Sequence, residues 1–79
     1  MVTLKIEIET VIYDEGEADE ETIKEIQCNL INATTKPVIY EYSLDADDYP
    51  TNESVQTFVT DDLTLRGITW DTVEVVVIQ

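Results

Sequence analysis

The first residues of the chain alternate between apolar and polar side chains. The apolar residues stand at every second position: Val2, Leu4, Ile6 and Ile8. A period of two is typical of a strand with one face in the core and the other in solvent. The alternation changes phase over residues 11–13, which predicts a bulge or bend near Thr10.

The segment Asp14–Asn32 has a different period. Its apolar residues Ile23, Ile26 and Leu30 recur at spacings of three and four, which predicts a helix with one stripe facing the core. Three glutamates recur every four residues on the opposite side: Glu17, Glu21 and Glu25. We expect Asp19 to cap this helix, Asn32 to end it in a left-handed conformation, and Cys28 to lie toward its polar flank.

The rest of the chain is rich in β-branched and aromatic residues. Strands are predicted at four runs: Pro37–Ser43, Ser54–Thr60, Leu63–Arg66 and Thr72–Gln79. Asp61 and Asp62 form a predicted turn, and the last run, apolar on both faces, predicts a central strand. The sequence therefore predicts one α+β domain over residues 1–79. It would be a mostly antiparallel sheet of four or five strands with one helix packed on one face, in the order β-α-β-β-(β)-β.

The net charge of the chain adds most to this prediction of the fold. The 79 residues include 18 acids and four bases, and the formal net charge is −14. Small soluble domains usually carry a magnitude of about 2–8, and a larger charge destabilises the compact state by self-repulsion. Because 43% of the residues are hydrophobic and patterned, the charge does not indicate disorder. It does oppose direct binding to nucleic acid or to an anionic membrane.

Catalytic and metal-binding patterns are missing from the sequence. It has no histidine, a single cysteine and two isolated glycines, so the usual triads, zinc sites and phosphate loops are excluded. The run Asp45–Asp48 begins like a calcium loop, but Tyr49, Pro50 and Gln56 occupy positions that such a loop reserves for other residues. We expect no enzymatic activity, cofactor or metal. The lone cysteine and the absence of an apolar N-terminal run predict a cytoplasmic protein.

The acids themselves are the candidate functional residues. The predicted partner-binding surface consists of acids from the helix, loops and turns together with one tyrosine: Glu17, Glu21, Glu25, Asp45, Asp47, Asp48, Glu53, Asp61, Asp62 and Tyr49. Carboxylates held about 6–7 Å apart on a rigid scaffold can imitate the phosphates of a duplex. Tyrosine supplies an uncharged anchor of the kind found at binding hot spots.

In size, charge and lack of catalytic residues the chain resembles the DNA-mimic inhibitors. These are small acidic proteins of phages and mobile elements that block CRISPR effectors, restriction enzymes and other nucleic-acid-binding proteins. The resemblance implies an inhibitor whose partner is a basic, nucleic-acid-binding protein. Two alternatives stay open: a regulatory module that binds a basic partner without mimicry, and an acidic domain from a high-salt organism.

Overall fold

A computed structural model describes residues 1–14, 20–33 and 39–78. Within these ranges the chain forms strands β1 (Thr3–Asp14), β2 (Glu20–Ile31) and β3 (Tyr40–Asp45), helix α1 (Asn52–Leu65) and strand β4 (Thr72–Ile78). The strands build one mixed sheet in the order β3-β2-β1-β4. The β1–β2 and β2–β3 pairs are antiparallel, and β1 pairs with β4 in parallel. The predicted α+β class is confirmed.

The longest element is the hairpin of β1 and β2. Its register runs without interruption from Thr3 opposite Ile31 to Asp14 opposite Glu20. The bulge predicted near Thr10 is therefore wrong. The pairing of β1 with β4 ends at Glu9, and Ile12, three residues further on, is 62% exposed. The apolar–polar alternation changes phase where β1 extends past the core. The strand itself continues to Asp14.

The predicted place of the helix is also wrong, because residues 20–31 form strand β2. Ile26 and Cys28 face the core and Leu30 packs against it, as alternation in a strand requires. Ile23, predicted on the same core stripe, lies on the other face, so that placement is wrong. Twelve residues of pairing with β1 outweigh the local helix preference of glutamate, lysine and glutamine. Cys28 is 0% exposed, so its predicted place on a polar flank is wrong as well. The proposed cap Asp19 lies outside the described residues.

The one helix of the described residues occupies the segment for which a strand, a turn and a returning strand were predicted. Val55, Val59 and Leu63 recur every four residues and are fully buried. This stripe outweighs the strand preference of the valines and threonines around it. A capping box begins the helix: the Ser54 N–H donates to Thr51 Oγ1 at 3.1 Å, and the Thr51 N–H donates to Ser54 Oγ at 3.3 Å.

Gly67 ends the helix in a left-handed conformation, with φ of 80°. Its N–H donates to the Thr64 carbonyl at 3.0 Å, and the Ile68 N–H donates to the Leu63 carbonyl, also at 3.0 Å. These two bonds define a Schellman motif, in which the left-handed position favours glycine. Ile68 then packs against the core, as does Trp70. Asn32 is left-handed as expected, although it follows a strand.

The core lies between α1 and one face of the sheet. Its fully buried apolar members come from β1, β2 and α1: Leu4, Ile6, Ile8, Ile26, Cys28, Val55, Val59 and Leu63. Phe58 of α1 extends the core toward β3, where its ring meets Tyr42 edge to face at 5.8 Å. Because the helix lies on one face only, the alternate residues of each strand point away from it.

Strand β4 lies at an edge of the sheet, so its predicted central position is wrong. Val73 and Val75 pack against the core. Apolar residues on both faces are typical of a central strand, but α1 carries the chain from β3 across the sheet to its far edge. Val77 and Ile78 remain 46% and 41% exposed there.

Candidate binding surface

The face of the sheet turned away from α1 carries most of the charge of the strands. We call it the open face. Its members are the alternate strand residues that point away from the core: Thr3, Lys5, Glu7, Glu9, Val11, Glu21, Ile23, Glu25, Gln27, Asn29, Ile31, Glu41, Ser43, Asp45, Thr72, Glu74, Val76 and Ile78. Lys5 is the single base in this set.

The register of the strands arranges four glutamates of the open face in two adjacent rows. In one row Gln27 pairs with both Glu7 and Glu41. In the next row Glu25 pairs with Glu9 and, on its other side, with a serine. Two residues along a strand correspond to about 6.6 Å, and neighbouring strands lie about 4.8 Å apart. Four carboxylates therefore share a small part of the open face.

A concavity of about 270 Å³ lies over these two rows. Its lining includes the carboxylates of both rows and the apolar side chain of Ile78: Glu7, Glu9, Glu25, Glu41 and Ile78. None of its lining residues is a base. The concavity is therefore suited to a cationic group that brings some apolar surface with it.

The open face brings like charges together and also holds an ion pair. Glu9 and Glu25 stand directly opposite each other on antiparallel strands, an arrangement of like charges that destabilises a sheet. Lys5 offsets part of the charge, since its Nζ lies 3.3 Å from Glu7 Oε1.

Three of the acids predicted for the binding surface, Glu21, Glu25 and Asp45, lie on the open face, although the reason given for the first two was a helix. Glu21 and Glu25 point to the same side of β2 because they are an even number of residues apart. Their separation is about 13 Å on a strand, whereas one helical turn would bring it to about 6 Å. Glu17 lies outside the described residues.

Three of the predicted acids and the predicted tyrosine lie at the end of β3. Asp45 ends the strand, and its Oδ1 accepts a hydrogen bond from the Asp47 N–H at 2.9 Å. Asp47 and Asp48 are exposed in the turn that follows. The ring of Tyr49 packs edge-on against Phe58, with 5.3 Å between centroids, and the residue is half-buried at the border of the core.

The remaining predicted acids, Glu53, Asp61 and Asp62, lie on α1, across the core from the open face. Glu53 occupies the first turn, where the helix dipole favours a negative charge. Asp62 accepts hydrogen bonds from the Tyr42 hydroxyl at 2.7 Å and from Arg66 Nε at 2.9 Å. These bonds lower the pKa of Asp62, with that from Tyr42 the larger cause. Asp62 is therefore part of the fold's own bonding.

The predicted set thus divides between two sides of the molecule. Three glutamates of the acidic rows, Glu7, Glu9 and Glu41, were not among the predicted site residues. The alternation of β1 already placed the first two on one polar face, and β3 presents Glu41 in the same way. Their proximity to Glu25 depends on strand pairing, which the sequence does not display.

Cys28 offers no reactive thiol on the surface. Burial raises its pKa to about 11, so it is protonated at neutral pH. Over the ranges described, no group of three or more histidine, cysteine, aspartate or glutamate residues is placed to hold a metal ion. The described part of the chain also has no helix that is both long and apolar enough to cross a membrane.

Comparisons with protein-family models, with curated proteins and with solved structures found no match to this chain. The class of protein must therefore be argued from the open face itself.

Proposed function

We propose that this protein is a non-enzymatic acidic binding protein whose open face occupies the basic groove of a nucleic-acid-binding protein. The observation that carries the proposal is the pair of rows formed by Glu7, Glu9, Glu25 and Glu41. Duplex DNA carries one charge per about 1.7 Å of axis, so about 6.6 Å of duplex carries about four charges. The two rows supply four carboxylates over the same length.

The scaffold beneath these carboxylates favours binding. Glu7 and Glu9 stand on β1, which is paired on both sides, and Glu25 stands on β2, which is also paired on both sides. A ligand whose charges are already in place loses less conformational entropy on binding than a flexible acidic chain would.

The protein would then be an inhibitor of the phage or mobile-element type. It would act in the cytoplasm on a protein that binds DNA or RNA. The alternative is a regulatory module that binds a basic protein surface without replacing nucleic acid. Ile78 in the lining of the acidic concavity favours this alternative, because an apolar side chain has no counterpart in a row of phosphates.

Capture from lysate with competition separates the two functions. The immobilised full chain should retain basic nucleic-acid-binding proteins, and excess duplex DNA or RNA should release them. Raising the salt concentration should also release them, because both partners are highly charged. Capture that resists nucleic acid but yields to salt supports the regulatory module. Capture that changes neither with nucleic acid nor with salt contradicts both the nucleic-acid mimic and the regulatory module.

Matched variants test the open face directly. The variant with Glu7→Gln, Glu9→Gln, Glu25→Gln and Glu41→Gln removes four charges from the acidic rows. The control removes four exposed charges elsewhere, through Asp47→Asn, Asp48→Asn, Glu53→Gln and Asp61→Asn. We expect the first variant to lose capture at least tenfold, while the control loses less than threefold. Equal losses would indicate that net charge alone attracts the captured proteins.

A further inference from the structure

The outer edge of β4 lacks the features with which proteins protect a strand edge. The strand pairs with β1 from Thr72 to Ile78, and no other described strand lies on its far side. Natural edges are protected by lysine, proline, bulges or shortness. Strand β4 is seven residues long, has neither lysine nor proline, and carries one charge, Glu74. The opposite edge, β3, carries Glu41 and Asp45 along six residues.

Both faces of this edge are apolar near its end. Val77, on the side of α1, is 46% exposed, and Ile78, on the open face, is 41% exposed. The fold does not require apolar side chains at exposed positions of an edge strand. A fifth strand added beside β4 would cover both of them and would satisfy the backbone groups that point outward.

The net charge of the protein determines which kind of strand can pair with the edge of β4. The net charge of −14 repels a second copy of the chain and attracts a basic segment. On the open face Val76 lies beside Glu7, and Ile78 lies beside Glu9. A lysine or arginine on an added strand would lay its apolar stem over the valine or isoleucine and extend its charged end toward the glutamate.

We propose that β4 accepts an extended segment of the basic partner as a fifth strand of the sheet. The segment alternates lysine or arginine on the open face with apolar side chains beside Val73, Val75 and Val77. This inference rests on the proposed function, which supplies a basic partner, and it adds the way in which that partner is held. Backbone hydrogen bonds give affinity in this mode, and the alternation gives specificity.

Two synthetic peptides of identical composition test the proposal on the unmodified protein. One alternates five lysines with four valines, and the other groups the lysines in one block and the valines in another. We expect the alternating peptide to bind at least tenfold more tightly. It should slow hydrogen exchange at least tenfold at the β4 amides that point away from β1. Equal binding of the two peptides without β4 protection overturns the proposal.

Selective methylation of the peptide backbone gives a second measurement on the same protein. Alternate amides of an added strand point toward β4, and the others point to solvent. N-methylation of the first set should abolish binding of the alternating peptide, whereas N-methylation of the second set should be tolerated. The set of amides whose methylation abolishes binding shows whether the added strand runs parallel or antiparallel to β4. Equal affinity of the two methylated peptides contradicts strand addition.

A matched pair of variants assigns the site to β4. Val77→Lys and Leu65→Lys change the net charge equally, but Leu65 is an 87% exposed residue of α1. We expect Val77→Lys to weaken binding of the alternating peptide at least tenfold and Leu65→Lys to change it less than twofold. Unchanged binding by Val77→Lys overturns this inference and leaves the open-face proposal standing. A dimer in sedimentation that Val77→Lys dissociates assigns the edge to a second copy and also overturns it.

Discussion

Asp62 joins helix α1 to strand β3 through a single carboxylate. This carboxylate accepts hydrogen bonds from the Tyr42 hydroxyl of β3 and from Arg66 Nε at the end of α1. Burial, followed by the bond to Asp62, raises the pKa of Tyr42, so the phenol stays protonated and continues to donate. The Arg66 guanidinium also lies 5.5 Å from the centroid of the Tyr40 ring, which ties it to the same strand. Of the acids predicted to bind a partner, this one is instead engaged in stabilising the fold.

The lowered pKa of Asp62 predicts how its contribution to stability depends on pH. A carboxyl whose pKa is lower in the folded state than in the unfolded state stabilises the fold fully above the unfolded value of about 4. The contribution disappears as pH falls through the lower, folded value. Asp62→Asn should therefore lower the free energy of unfolding at pH 7, and its difference from the native chain should shrink below about pH 4.

Urea unfolding between pH 3 and pH 7 measures this difference. Asp61→Asn is the matched control, since it removes the neighbouring charge from an exposed position with no tyrosine or arginine partner among the described residues. The control should not destabilise the fold at pH 7, because it relieves repulsion in a chain of high negative charge. A pH-independent loss from Asp62→Asn would contradict an ionic role for this residue.

At the scale of elements, the sequence predicts β1, β3 and β4 better than it predicts β2 and α1. The strands predicted at the start of the chain, at Pro37–Ser43 and at Thr72–Gln79 overlap β1, β3 and β4, because the alternation there is visible locally. In β2 the spacing of Ile23, Ile26 and Leu30 also fits a helix, and only the ladder with β1 decides between the two. That ladder joins residues far apart in sequence, so no local pattern displays it.

The helix was missed for a related reason. Valine and threonine around Val55 and Val59 favour a strand, and the residue pair that caps the helix is Thr51 with Ser54, where the commoner box has glutamate or glutamine. The interval of four between Val55, Val59 and Leu63 was the available signal. In a helix this interval turns all three side chains toward the sheet, but it is also even, so a strand would place them on one face as well and the spacing alone does not decide.

Gly67→Ala should destabilise the protein by about 1 kcal/mol through backbone strain at the end of α1. The residue has φ of 80°, and no atom beyond its neighbours in the chain lies within 4 Å of the added Cβ. The loss therefore comes from the left-handed conformation itself and involves no steric clash. Urea unfolding measures it, with Thr69→Ala in the same exposed connection as the control. A stability equal to that of the control would contradict the assigned Schellman ending.

At the scale of the whole molecule, composition predicts a charged binding protein but not the surface that binds. Glu7, Glu25 and Glu41 come from three strands that are distant in sequence and adjacent in the sheet. The prediction instead combined acids of a supposed helix, a loop and a turn, so it mixed residues of the open face with residues of α1. An acidic surface built from several strands can be recognised only after the strand order is known.

Salt should stabilise the isolated protein and weaken its binding to a basic partner. The Debye length falls from about 10 Å at 0.1 M to about 3 Å at 1 M, which screens repulsion among the carboxylates of the open face. We therefore expect the Tm to rise between 0.1 M and 1 M NaCl, as measured by circular dichroism. The variant with glutamine at positions 7, 9, 25 and 41 should show a smaller rise than the variant that removes four charges outside the open face. If the two variants respond equally, the repulsion is spread over the whole molecule, as in an acidic protein of a high-salt organism. The charge of the open face would then need no binding partner to explain it.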